Sequence, residues 1–167
     1  MNIFPALGWR LFSLLAILLI AGCATNTGAS GTFHSQDSHW QGRLTLNVQS
    51  EPVQAFAADF DLQGDAQAGR LSFFTPLGNT AARLNWNTQG AQLQTTGDPQ
   101  QFESMDALTR HITGTVLPVA NLFDWLKGVD SATPGWQVDL RALADGRLSA
   151  RRLPPEIPAE LKIVLDR

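Results

Sequence analysis

The chain has a single cysteine, no tyrosine and a small charged share, 16% against a typical quarter. One thiol excludes an internal disulfide, and a free thiol in an exported protein needs an explanation. No apolar run approaches the roughly 20 residues that a membrane-crossing helix needs. The apolar stretch Leu11–Ile20 is ten residues long and is interrupted by Ser13. The net charge is −3, with no basic cluster, so nucleic acid is not an expected partner. There is no nucleophile elbow, phosphate-cradling loop or metal-binding histidine pair. His34 and His39 precede the first strand pattern, and His111 falls on a helix, where a surface or capping role is expected. Asp59 and Asp61 share one outward strand face, where solvation is the default. The expectation is a protein that is not an enzyme, with no catalytic residues, no metal and no cofactor.

What is present begins with an address. Arg10 precedes the apolar core, and Leu19-Ile20-Ala21-Gly22-Cys23 follows it. The core has the length of a secretory signal. Small residues before a cysteine at that point resemble the processing site of bacterial lipoproteins. That resemblance implies cleavage before Cys23, loss of the signal peptide 1–22, and covalent lipid on Cys23. Several acyl chains anchor far more firmly than one. Ala24 stands where an aspartate often marks inner-membrane retention, so the resemblance leans toward the outer membrane. Losing Arg10 makes the remainder one charge more negative. Residues 23–39 then form a small, polar, aperiodic tether. A coil of that length spans roughly 20–24 Å. Residues 40–167 are the right size for one domain with its own core.

Within that domain, apolar and polar residues alternate with period two. Trp40, Gly42, Leu44, Leu46 and Val48 fall on one face, and Glu51-Pro52 ends the run. Phe56, Ala58, Phe60 and Leu62 follow, and Gly64-Asp65 marks a turn. Further strands are read over Gly69–Thr75, with Leu71 and Phe73, and over Thr80–Asn87, with Ala82, Leu84 and Trp86. Another holds Ala91, Leu93 and Thr95. These read as antiparallel strands joined as a meander. The period then changes to helical. Ser104 caps a first helix carrying Met105, Leu108 and Ile112, which Gly114 stops. Pro118 opens a second helix with Val119, Leu122, Phe123 and Leu126, ended by Lys127-Gly128. Strands return with Trp136, Val138 and Leu140. Asp145-Gly146 gives a hairpin signal, and Leu148 and Ala150 lie on the next strand. Pro154, Pro155 and Pro158 stiffen a connection, and Leu161, Ile163 and Leu165 alternate at the end. The expected fold is mainly β with helices, an α+β arrangement: one curved antiparallel sheet with two helices against its concave face.

Several of these stretches resemble the LolB family, in order along the chain. They are Trp40-Gln41-Gly42-Arg43-Leu44, Thr75-Pro76-Leu77-Gly78-Asn79-Thr80, Ile112-Thr113-Gly114, Leu117-Pro118 and Leu122-Phe123-Asp124-Trp125-Leu126-Lys127-Gly128. Gly135-Trp136 and the ending Leu161-Lys162-Ile163-Val164-Leu165-Asp166 complete the set. The resemblance implies an unclosed antiparallel β-barrel with an α-helical lid over an apolar cavity. It implies a lipid-anchored, periplasm-facing outer-membrane protein. Such a protein accepts lipoproteins from a LolA-like periplasmic carrier, holds their acyl chains and inserts them into the inner leaflet of the outer membrane. A monomer is expected. The resemblance also implies a protruding loop that helps delivery, here Pro76, Leu77 and Gly78.

The residues add reasons of their own. Pro76 presets φ at a turn and Gly78 permits the exit, so Leu77 sits at a hairpin tip. It either protrudes or folds back on the core. The strand residues Leu46, Phe56, Phe60, Phe73, Leu84, Trp86, Leu93, Trp136, Val138 and Ile163 are candidates for an acyl cavity. So are Leu122, Phe123, Trp125 and Leu126 of the second helix. Periodicity alone reads the same faces as a filled core, in which case the chain is a lipid-anchored scaffold or assembly subunit without lipid transfer. Trp125 is off the helix's main stripe by spacing, so it meets acyl chains or is a partly buried surface residue. Arg151-Arg152 reads as a solvated strand end.

Overall fold

The computed structural model describes residues 38–167. The signal peptide, Cys23 and nearly all of the expected tether lie outside the described residues. His39 does not belong to a tether: it opens the first strand, pairs with Gln63 and reaches Asp61 through its ring at 2.9 Å.

Alternation becomes strand along most of the chain. The elements are β1 His39–Val48, β2 Gln54–Gly64, β3 Gly69–Phe74, β4 Thr80–Asn87, β5 Gly90–Gln94 and β6 Gln100–Phe102. Helices α1 Met105–Thr113 and α2 Val119–Leu126 follow, then β7 Trp136–Asp139, β8 Arg147–Arg152 and β9 Ala159–Leu165. The nine strands form one antiparallel sheet in the order β6-β5-β4-β3-β2-β1-β9-β8-β7. The short β6 has no apolar alternation to announce it. The last three strands return to pair with β1 through β9. The sheet is open, with β6 and β7 as unjoined edges, which agrees with an unclosed barrel.

Both helices follow their local signals. Ser104 accepts a hydrogen bond from the Ala107 amide at 3.1 Å. Gly114 closes α1 in the left-handed region at φ 72°. Pro118 is the residue before α2 rather than its first turn, and Lys127 ends it. The β7–β8 connection departs from a tight hairpin. Strand β7 stops at Asp139, a 3-10 turn occupies Leu143–Asp145, and Gly146 caps it at φ 74°. The Asp-Gly signal therefore ends a short helical turn instead of forming a two-residue loop.

Antiparallel order gives the sheet two rims. At one lie the connections 49–53, 75–79, 95–99 and 153–158. At the other lie 65–68, 88–89 and 140–146, together with the start of β1. The Gln49 amide donates to the Pro158 carbonyl at 2.9 Å, tying two loops of the first rim together.

Candidate functional site

The interior face of the sheet carries the buried apolar residues Leu44, Leu46 and Val48 of β1 and Phe60 and Leu62 of β2. Leu161 and Ile163 of β9 continue it. Helix α2 buries Leu122, Phe123, Trp125 and Leu126 against this face. Toward the rim where β1 starts, the space is filled. The Phe123 ring meets Trp40 edge-on at 5.8 Å and lies 6.0 Å from Trp86. Trp86 donates its indole N–H to the Asp65 carbonyl at 2.9 Å. Its ring lies so close over Gly69 that a Cβ there would sit 2.3 Å from a ring carbon.

Toward the other rim the side chains do not meet. A pocket of about 400 Å³ remains between the sheet and both helices, within the range of roughly 300–1,000 Å³ usual for small-ligand sites. Leu46, Phe73, Leu84 and Leu93 line it from the strands, and Leu122 and Trp125 from α2. Phe56 stands at its edge, 42% exposed, with its ring edge-on to Phe73 at 5.0 Å. Those seven expected residues are brought together around one space.

The other seven are not. Phe60 packs opposite Gly42 of β1 and Phe73 of β3. Trp86 and Phe123 belong to the filled half. Ile163 is wedged between Leu44 and Leu148 on neighbouring strands. Leu126 is buried in the core without reaching the pocket. Trp136 and Val138 sit on the edge strand β7, where Trp136 packs on Trp125 at 6.3 Å. Period-two reading selects the inner face but does not say how far along the strand the hollow extends.

Residues that pattern reading left out also line the pocket. Leu44, Val48 and Leu71 share the inner face, while Met105, Thr109 and Ile112 come from α1 and Leu117 from the interhelical connection. The helical spacing of Met105 and Ile112 was visible, and it placed them on a core-facing stripe. Trp125 is not a surface residue: it is 1% exposed. Of the eight residues of α2, Leu122, Phe123, Trp125 and Leu126 are buried, so its buried surface is wider than the main stripe.

Leu77 protrudes. It is 88% exposed. The Gly78 amide donates to the Thr75 carbonyl and the Thr75 amide to the Asn79 carbonyl, both at 2.8 Å. Gly78 has φ 81°. This is a three-residue hairpin loop with its last position left-handed, and it leaves Leu77 no core to fold onto.

Arg152 is the largest departure from expectation. It is not a solvated strand end but a buried residue, 6% exposed. Its Nε donates to the Ile157 carbonyl at 2.7 Å. Its Nη1 donates to the Thr115 hydroxyl at 2.5 Å and the Val116 carbonyl at 3.3 Å. The cation lies 5.6 Å over the Trp136 ring. Nη2 is buried and has no hydrogen-bond partner among the described residues. Burial pulls the guanidinium below its ordinary value, and Glu156 opposes this. Arg152 thus ties the α1–α2 connection to β8. Its alternation with Ala150 and Leu148 was the one available signal. Arg151 is exposed as expected and pairs with Glu160 at 3.0 Å.

Comparison with known proteins adds a second line. A family model described as outer membrane lipoprotein LolB matches residues 38–154. The chain is 31% identical over 144 residues to the outer-membrane lipoprotein LolB of Chromobacterium violaceum, covering 83% of this chain and 76% of that one. It is 35% identical over 146 residues to the LolB of Bordetella petrii, covering 84% and 70%. It is 27% identical over 175 residues to that of an Azoarcus species, covering 89% and 88%.

Proposed function

This chain belongs to the LolB family of outer-membrane lipoproteins, and we propose that it receives lipoproteins from a LolA-like periplasmic carrier and passes them into the outer membrane. In this reading the pocket is the acyl-chain cavity, and α1 and α2 are its lid. The lining is aliphatic and aromatic, with Gln54, Thr95, Thr109 and Thr113 as its few polar residues. Such a surface gains from covering acyl methylenes, at roughly 0.8 kcal/mol for each one removed from water. It makes no demand for a charged headgroup, so the headgroup side of the cargo stays outside.

Cys23 is the lipidated anchor, and it holds the domain on the periplasmic side. Nothing in the cycle supplies energy, so direction requires tighter acyl binding here than on the carrier. Leu77, on its rigid loop, is the residue that meets the bilayer when cargo is released. An exposed leucine gains roughly 1.5–3 kcal/mol when it leaves water entirely.

The observation that carries this reading is the pocket between sheet and helices, which a filled scaffold core would not contain. The test places the anchored chain in vesicles and adds carrier loaded with labelled lipoprotein. Label should move to vesicles bearing the chain and remain with the carrier when the vesicles are bare. Equal transfer to both would sink the acceptor function. With Leu77→Glu, label should reach the chain but stay extractable from the vesicle surface.

A further inference from the structure

The exposed large apolar side chains are not spread evenly over the two rims. In the connections of the Leu77 rim, Val53 is 71% exposed, Leu77 88%, and Leu153 and Ile157 41% each. In the connections of the opposite rim, 65–68, 88–89 and 140–146, no large apolar side chain is exposed, and near that rim only Val164, within β9, is exposed, at 50%. The four apolar residues come from three separate loops, so they do not form a continuous groove for a helix or strand. They form a set of tips suited to a soft, flat partner. Exposed apolar surface gathered on one rim is the kind of surface that interaction sites use.

We propose that this whole rim, and not Leu77 alone, is a lipid-surface contact, in which Val53, Leu153 and Ile157 meet the bilayer beside Leu77. The proposal rests on the reading above that Leu77 meets the bilayer. Charge narrows the surface. The rim's connections carry Glu51, Asp98 and Glu156 and no lysine or exposed arginine. Such a rim is repelled by anionic headgroups and compatible with zwitterionic ones, so the preferred surface is zwitterionic lipid.

Chain connectivity adds a condition. The strand that continues from Cys23 and the tether starts at His39, on the opposite rim. Strand β1 has ten residues, about 34 Å at strand rise. From Cys23 to Ser38 the chain can reach about 50 Å at full extension. The contact is therefore within reach of the anchoring membrane. It requires the span from Cys23 to Ser38 to exceed the length of β1, and at full extension it does.

The experiment uses the full anchored chain. Cys23 is the only cysteine and its sulfur carries lipid, so one added cysteine is the single labelling site. An environment-sensitive dye is placed by Val53→Cys, Ile157→Cys or Leu77→Cys, and on the opposite rim by Gln67→Cys or Gln89→Cys. The vesicles are dilute phosphatidylcholine and phosphatidylethanolamine with a quencher-bearing lipid. Blue-shifted, quenched dye at 53, 157 and 77, with no change at 67 and 89, is the expected result. Quenching at 77 alone would overturn the rim proposal and leave the Leu77 reading standing. No quenching at any of the three would remove both. A shift at 53 and 157 that needs an added acyl-loaded soluble carrier would assign the rim to a protein and overturn the proposal. Deleting 26–35 cuts the tether's reach to about 17 Å, so quenching at 53 and 157 should be lost. Its persistence would overturn the requirement that the tether span the length of β1. Replacing part of the phosphatidylcholine with phosphatidylglycerol should weaken quenching, and strengthening would overturn the headgroup assignment.

Discussion

Along its strands the interior changes from solid to hollow. In the solid half, rings from β1, β4 and α2 converge: Trp40 and Trp86 both lie within 6.0 Å of Phe123. In the hollow half the same inner face offers Leu46, Phe73, Leu84 and Leu93, with Ala82 beside them and Trp125 of α2 opposite, and a space remains between them. Both halves are written in the same period-two alternation. Where Trp40 and Trp86 converge on Phe123 there is a core, and where Phe56, Phe73 and Trp125 stand around a space there is a container. The solid half holds sheet and helices at a fixed spacing, and that spacing keeps the other half open.

Substitution on the two sides should break or sharpen this contrast. The largest effect is expected in the solid half. Phe123→Ala should cost about 3–5 kcal/mol of unfolding free energy, read by denaturant titration. Leu46→Ala, lining the hollow, should cost clearly less, near the lower end of about 2–5 kcal/mol, because its neighbours already lack partners on one side. Equal costs would mean that the hollow half closes up in solution. Next comes the tie between the α1–α2 connection and β8. Arg152→Met removes the bonds to Ile157, Thr115 and Val116 and should cost about 1.5–3 kcal/mol. It should also speed release of a bound fluorescent fatty acid if the α1–α2 connection is what the arginine restrains.

Smaller effects should fall outside the interior altogether. Leu77→Glu should change stability by less than about 0.5 kcal/mol, in contrast to its effect on delivery. The weakest response is to acid. Hydrogen bonds from Arg141 hold Asp139 at about 2, below its ordinary 3.8. Bonds from Lys162 and Arg151 likewise lower Glu160. A depressed carboxylate stabilises the fold above its unfolded value and ceases to do so as pH falls through its folded one. These contributions are therefore complete at neutral pH and fade below about pH 4. Because both groups are on the surface, denaturation midpoints at pH 7 and pH 5 should nearly coincide. A large drop between them would point to a buried acid that the fold does not contain among its described residues.

Legibility followed the range of each signal. Strands with strong alternation and helices with a capping serine or a stopping glycine were readable, because those signals act within a few residues. The hairpin at Leu77 was readable for the same reason: Pro76 and Gly78 determine the turn locally. Strand β6 was not, since Gln100-Gln101-Phe102 becomes a strand only by pairing with β5. Arg152 was not readable either. Its burial depends on Thr115 and Val116, more than thirty residues away, and no local pattern contains that distance. For the pocket, the correct face was chosen and half of the named residues lay elsewhere, because the hollow depends on how rings from distant elements meet.

The unjoined edges of the sheet have a mechanical consequence. A closed barrel resists widening with hydrogen bonds around its whole circumference. Here the circumference is interrupted between β6, three residues long, and β7, four residues long. Expanding the hollow therefore stretches no ladder. The resistance comes only from side-chain packing of the helices and from the Arg152 tie. Under the proposed function, the open sheet lets the capacity of the pocket follow the size of its load while the backbone pairing stays intact.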